Sequence, residues 1–129
     1  MLKPGFLVRM MLISVVILGA GMVLGQNYPT QTVRLITAAP GSGIDFTARL
    51  LAQGLAKSLG QPVVVENRST IISIEAGAKA PSDGYTLLLA GSSLWLLPSM
   101  RKVPWDPVKD FAPISLVTFS PLIVVLGQR

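Results

Sequence analysis

Val33-Arg34-Leu35-Ile36-Thr37, Ala38-Ala39-Pro40-Gly41-Ser42-Gly43, Ile44 to Leu59, Gly60 and Pro62-Val63-Val64-Val65-Glu66 follow one another in this chain. They read as strand, glycine-rich turn, helix, stop and strand. The first run is β-branched and apolar. The next six residues cannot easily continue a strand, because proline and two glycines interrupt it. Ala48, Leu51, Ala52, Leu55, Ala56 and Leu59 then recur at helical spacing. Gly60 stands where a helix stops, and Pro62 to Glu66 resumes an apolar strand. A βαβ unit of this kind builds a parallel sheet with its helix on one face. Its turn lies at the carboxyl end of the first strand, where open α/β sheets bind ligands.

That turn has a chemistry of its own. The first N–H groups of a helix lack partners inside the helix, and their partial positive charge favours an anion. Gly41 and Gly43 carry no Cβ, so a ligand can approach the backbone closely. Ser42 is placed to act as N-cap, with Asp45 three residues on imitating a capping box. A well-capped turn that binds nothing has the same sequence, and this segment alone leaves both readings open.

The chain has 129 residues, enough for one small domain. Lys3 and Arg9 precede an apolar run from Met10 to Leu24, and Val23-Leu24-Gly25 before Gln26 offers small residues for cleavage. This pattern describes a secretory signal peptide over residues 1–25, with residues 26–129 as the mature part. The run is shorter than the ~20 residues of a spanning helix, although an uncleaved anchor has similar features. Without Lys3 and Arg9 the chain keeps nine Lys and Arg against six Asp and Glu. That mild excess shows none of the clustering nucleic-acid binding needs. The chain has no Cys and no His. Disulfides, thiol chemistry, the commonest general base and the commonest transition-metal ligand are thereby excluded.

Beyond the βαβ unit, Asn67-Arg68-Ser69-Thr70 reads as a loop. Arg68 there is either an anion contact or an ion-paired surface residue. Ile71 to Ala80 reads as a second helix, with Ile71, Ile74 and Ala78 on one face. Pro81-Ser82-Asp83-Gly84 is a turn, and Tyr85 to Ala90 a third strand whose continuous apolarity suits burial on both faces. Gly91-Ser92-Ser93 then forms a second candidate ligand loop on the same sheet edge. The alternative there is a cap, by Ser92 or Ser93, for a short helix beginning at Leu94 that ends at Pro98 or shortly afterwards. Asp106 and Asp110, in a proline-rich stretch, read as turn and cap residues. Ile114 to Thr118 and Leu122 to Leu126 are strand-like.

Known catalytic patterns fail on these residues. There is no G-x-S-x-G elbow, no triad without His, no Walker motif and no metal-ligand cluster. A dinucleotide site is suggested by Gly41-Ser42-Gly43 and by Glu66 at the end of the second strand. It lacks the third glycine, where Phe46 stands instead, and a ring at that point is expected to obstruct helix–strand packing. Binding without covalent chemistry, and without a cofactor, is what survives.

From Tyr28 to about Val125 the sequence resembles the extracytoplasmic solute receptors of tripartite tricarboxylate transporters, the Bug receptor family. The likeness is carried by Tyr28-Pro29 with Val33 to Ile36, by Pro40 to Asp45 with Ala48 to Ala52, by Leu59 to Arg68, by Asp83 to Leu88, and by Asp106 to Ile114. It implies an α/β fold of the type II periplasmic-binding-protein kind, in which two lobes close on a small carboxylate and deliver it to membrane permease subunits. It further implies a periplasmic location and no enzymatic activity. Carried over residue by residue, it gives Ala39, Pro40, Gly41, Ser42, Gly43, Ile44 and Asp45 as one ligand loop and Gly91, Ser92 and Ser93 as another. Two departures stand out. Ser69 to Ser73 replaces the proline and glycines that the family usually carries after Asn67-Arg68. Family members are also more than twice this long. The expectation is therefore a parallel-sheet N-terminal lobe only, with the second lobe absent and solute binding weak or lost. Two alternative functions follow, a membrane-tethered or scaffolding remnant without ligand and, more remotely, a nucleotide-binding Rossmann-like domain.

Overall fold

The computed structural model describes residues 28–119, and the expected leader over residues 1–25 and strand over residues 122–126 lie outside them. The chain divides into two compact units, residues 1–30 and 31–129, and every element below lies in the second. Its elements are β1 (Val33–Thr37), α1 (Gly43–Leu59), β2 (Val63–Asn67), α2 (Thr70–Ala78), β3 (Thr86–Leu88) and α3 (Ser93–Met100). The strands form a parallel sheet in the order β2-β1-β3. The architecture is α/β, as expected.

Side chains alternate across a strand, so each face of the sheet has its own helix. Leu35 packs against Ala48 and Ala52 of α1, with Leu51, Val63, Val65, Leu87 and Leu89 around them. Ala48 and Ala52 are small enough for the helix to lie close to the sheet. Ile36 and Leu88 point the other way, towards α2. Gly77 of α2 comes so near the sheet that a Cβ there would lie 3.0 Å from Leu88 Cδ2. The buried face of α2 is Ser73 and Ile74 rather than the expected Ile71, Ile74 and Ala78, and Ile71 is exposed. Position 73 faces inward because the Ser73 hydroxyl is satisfied locally, donating to the Thr70 carbonyl at 2.8 Å. The end of α1 is as predicted. Gly60 takes a left-handed φ of 66° and its N–H donates to the Ala56 carbonyl.

Two expectations are corrected by the structure. The third strand is only Thr86–Leu88 and is half-buried, because β3 lies at the sheet edge rather than between two neighbours. Ile114 to Thr118 is exposed and unpaired, not a strand. Helix α3 runs through Pro98 and ends shortly after it, at Met100, as expected. A proline inside a helix removes the N–H that would satisfy the carbonyl four residues earlier. Here that carbonyl belongs to Leu94, and the indole N–H of the buried Trp105 donates to it at 3.3 Å. Asp106 and Asp110 then fix the turn after Trp105. Asp106 accepts the N–H groups of Val108 and Lys109, and Asp110 accepts that of Asp106.

The Leu94–Trp105 bond is checked by a double-mutant cycle in denaturant. Trp105→Phe should cost about 1 kcal/mol more than its packing loss alone, because it leaves the carbonyl unpartnered. In a Pro98→Ala background, where residue 98 donates instead, that excess should shrink to near zero.

Candidate functional site

All strands run parallel, so Thr37, Asn67 and Leu88 bring the chain out at one edge of the sheet. Thr37 is fully buried, and its hydroxyl donates to the Leu89 carbonyl at 3.2 Å. The loops that follow β1 and β3 therefore leave from adjacent points. They meet again at Ile44, whose Cδ1 lies 4.0 Å from where a Cβ on Gly91 would stand. The structure thus brings the two expected ligand loops together. Ala39, Pro40, Gly41, Gly43, Gly91 and Ser92 are exposed, and Ser42, Ile44 and Ser93 are half-buried.

The turn before α1 is built by three groups. Ser42 is its N-cap. The Ser42 hydroxyl oxygen accepts the Asp45 N–H at 3.3 Å and donates its own proton to the Ala39 carbonyl at 2.8 Å. Asp45 is buried, and its carboxylate does not close the capping box on the Ser42 N–H as expected. It reaches one residue further back and accepts the Gly41 N–H at 2.9 Å, made possible by the left-handed φ of 77° at Gly41. Asn67, at the end of β2, donates to the other Asp45 oxygen at 2.8 Å and to the Ala38 carbonyl at 2.9 Å. Arg49 lies one helical turn on. It pairs with Asp45 at 3.1 Å and donates to the Asn67 side-chain oxygen at 3.1 Å.

The outward-facing donors are consequently backbone. Among the described residues no acceptor takes the N–H of Gly43 or Ile44, the first two positions of the helix. Ser92 does not cap α3. It is itself helical in φ and ψ, and its side chain makes no cap bond. The hydroxyls of Ser92 and Ser93 are likewise without a hydrogen bond among the described residues. Amides without an acceptor on one loop and hydroxyls on its neighbour form a set of donors suited to an anionic oxygen.

Other candidates are accounted for elsewhere. Arg68 pairs with Glu66, which also accepts from Arg34 at 2.5 Å, on the sheet face opposite α1. Both arginines draw the Glu66 carboxyl below its usual range, Arg34 more strongly. Glu66 is not free to hold a ribose. Phe46, which stands where a dinucleotide fingerprint needs its third glycine, is two-thirds exposed. A shallow depression of about 270 Å³ lined by Arg68, Ile72, Glu75, Ala76 and Lys79 lies on α2, away from the ligand loops. Among the described residues no group of three or more acidic residues converges to hold a metal ion. Sequence reading passed over Asn67 and Arg49 as parts of the turn. The only signal for Asn67 was an amide at the end of a strand beside the turn it buttresses.

The Gly41 N–H, then Asn67 and Arg49, hold the Asp45 carboxyl below the usual aspartate range despite its burial. A depressed carboxyl stabilises the fold above its unfolded value, about 3.9, and that contribution is lost as pH falls through the folded value. Asp45→Asn should lower Tm at neutral pH. The gap to the wild type should close as pH falls from about 4, as followed by circular dichroism.

A sequence model described as the tripartite tricarboxylate transporter family receptor matches residues 47–128. Protein BugT of Bordetella pertussis is 40% identical over 117 residues, which cover 85% of this chain and 36% of BugT. Among solved structures, the periplasmic binding protein BugD is 36% identical with a TM-score of 0.63, covering 67% of this chain and 31% of BugD. MatC of Rhodopseudomonas palustris, solved with bound malate, is 33% identical with a TM-score of 0.60, covering 70% of this chain and 33% of MatC. The chain spans about a third of the length of these relatives. A shared α/β lobe, the matched residues and this level of identity lead to one assignment: the chain belongs to the tripartite tricarboxylate transporter receptor family.

Proposed function

We propose that residues 38–45 and 91–93 are one side of a binding site for a small carboxylate, within an extracytoplasmic solute receptor that serves a tripartite tricarboxylate transporter. The observation that carries this reading is the pair of amides at the exposed Gly43 and the half-buried Ile44, neither with an acceptor among the described residues. They open the longest helix of the described residues, where its dipole favours an anion. The hydroxyls of Ser92 and Ser93 face the same end of the sheet. MatC, a relative of the same fold, was solved with bound malate. In this reading the guest is held by hydrogen bonds and released intact, so no catalytic group is required. Residues 1–25 act as an export leader, residues 26–129 belong to the receptor's N-terminal lobe, and the membrane permease is the partner that takes the solute.

One lobe supplies only part of the contacts to a guest held between two, so this chain alone should bind carboxylates weakly. Titrating L-malate into ¹⁵N-labelled protein should shift the amide signals of Gly43, Ile44 and Gly91 to Ser93. The uncharged 1,4-butanediol should leave them in place. A Cβ on Gly43 would meet nothing within 4 Å, and its φ is not left-handed. Gly43→Val should therefore fold normally, block the approach and abolish the shifts. Unmoved wild-type amides at high malate concentration would overturn the reading.

A further inference from the structure

Asp45 is the third residue of α1, and a carboxylate there has first claim on the helix amides. It is covalently tethered beside them, so its effective concentration exceeds that of any dilute solute. A turn with an acid at this position fills its own anion site unless something holds that acid back. Three groups hold it: the Gly41 N–H, Arg49 and Asn67. Gly41 is part of the exposed turn, and the Arg49 side chain is half exposed at 54%. Asn67 alone stands on the sheet, paired in register with Thr37 at the point where β1 gives way to the turn.

We infer that Asn67 is a positioning residue that keeps the capture turn open, by holding the Asp45 carboxylate off the Gly43 and Ile44 amides that a bound carboxylate would use. The inference rests on reading that turn as a carboxylate site. The side chain has the valences the task needs. Its Nδ2 donates to the Ala38 carbonyl at 2.9 Å and to Asp45 Oδ1 at 2.8 Å, and its oxygen accepts from Arg49 Nη2 at 3.1 Å. Both donors and the acceptor are in use. An aspartate of the same shape lacks the donors and would repel Asp45, and glutamine is one methylene too long to reach both partners from the same backbone position. Asn67 thereby ties the two ends of the turn, Ala38 and Asp45, to one fixed point on β2. Arg49 neutralises the held carboxylate, so a second anion can approach without facing an uncompensated charge.

The test compares the wild type, Asn67→Ala, Asp45→Asn and the double variant as ¹⁵N-labelled full-length chains. The first measurement, without ligand, is amide–water exchange at Gly43 and Ile44. The second is a titration with L-malate. In Asn67→Ala the freed carboxylate should cap these amides, so their exchange slows. Malate should weaken about tenfold, the value of one charge-assisted hydrogen bond. In the double variant no internal anion remains, so exchange and malate affinity should both recover towards the wild type. Faster exchange in Asn67→Ala, or a double variant as weak as the single one, would overturn the inference and leave Asn67 a merely structural tie. If Asn67→Ala does not fold, Asn67→Ser carries the same two measurements. A wild type that ignores malate would sink the carboxylate-site reading alone, and the exchange measurement would still decide what Asn67 does.

Discussion

A buried carboxylate joins the parts of this lobe that matter most. Asp45 sits on the first turn of α1, and its two oxygens receive the turn backbone at Gly41, the end of β2 at Asn67, and Arg49 of its own helix. Burying a charge is costly unless hydrogen bonds and an opposite charge surround it, and here both do. The Asp45 side chain is thus a strut within the expected ligand loop. What faces solvent is the backbone that the strut holds in shape.

The strut can do this only because the layers beneath it are close. Ala48 and Ala52 set α1 against Leu35 of the central strand, and Gly77 sets α2 against Leu88 on the opposite face. Larger side chains at these positions would lift the helices and carry the first turn of α1 away from Asn67. The site's geometry is therefore a property of small residues on the helix faces as much as of the polar groups in the loops. Helix α3 shows the complementary case. A proline breaks its hydrogen-bond ladder, and an indole eleven residues on from the orphaned carbonyl repairs it.

How much of this could be read from the sequence follows from the range of the forces involved. β1, α1, its Gly60 stop, and β2 to within a residue were legible, because their signals are local: β-branched runs, a helical repeat and a left-handed glycine. The glycine-rich turn between β1 and α1 was legible for the same reason. The inward face of α2 was misread, because hydrophobicity favoured Ile71 whereas Ser73 is buried with its hydroxyl satisfied on its own helix. β3 was read as buried on both faces because apolarity does not say which neighbours a strand has. The packing surface of α1 is taken by alanines, in keeping with the helical repeat, and Phe46 is exposed. The end of α3 soon after Pro98 was legible from the proline, whereas its rescuer, Trp105, lies outside the helix and was not. The task of Asn67 was illegible because its partners, Ala38 and Asp45, are 29 and 22 residues away.

The strand order β2-β1-β3 carries an implication for how the lobe forms. The middle strand is synthesised first, and its partners arrive late. Contacts from β1 to β2 span 32 residues at Arg34–Glu66, and those to β3 span 52 at Thr37–Leu89. No hairpin is available to nucleate the sheet, since parallel neighbours need a crossover between them. The segment Val33–Thr37 therefore waits as a bare apolar ribbon until both flanking ribbons exist. Assembly is deferred until Thr86–Leu88 has been made, and the nascent chain stays extended for longer than a meander of equal size would.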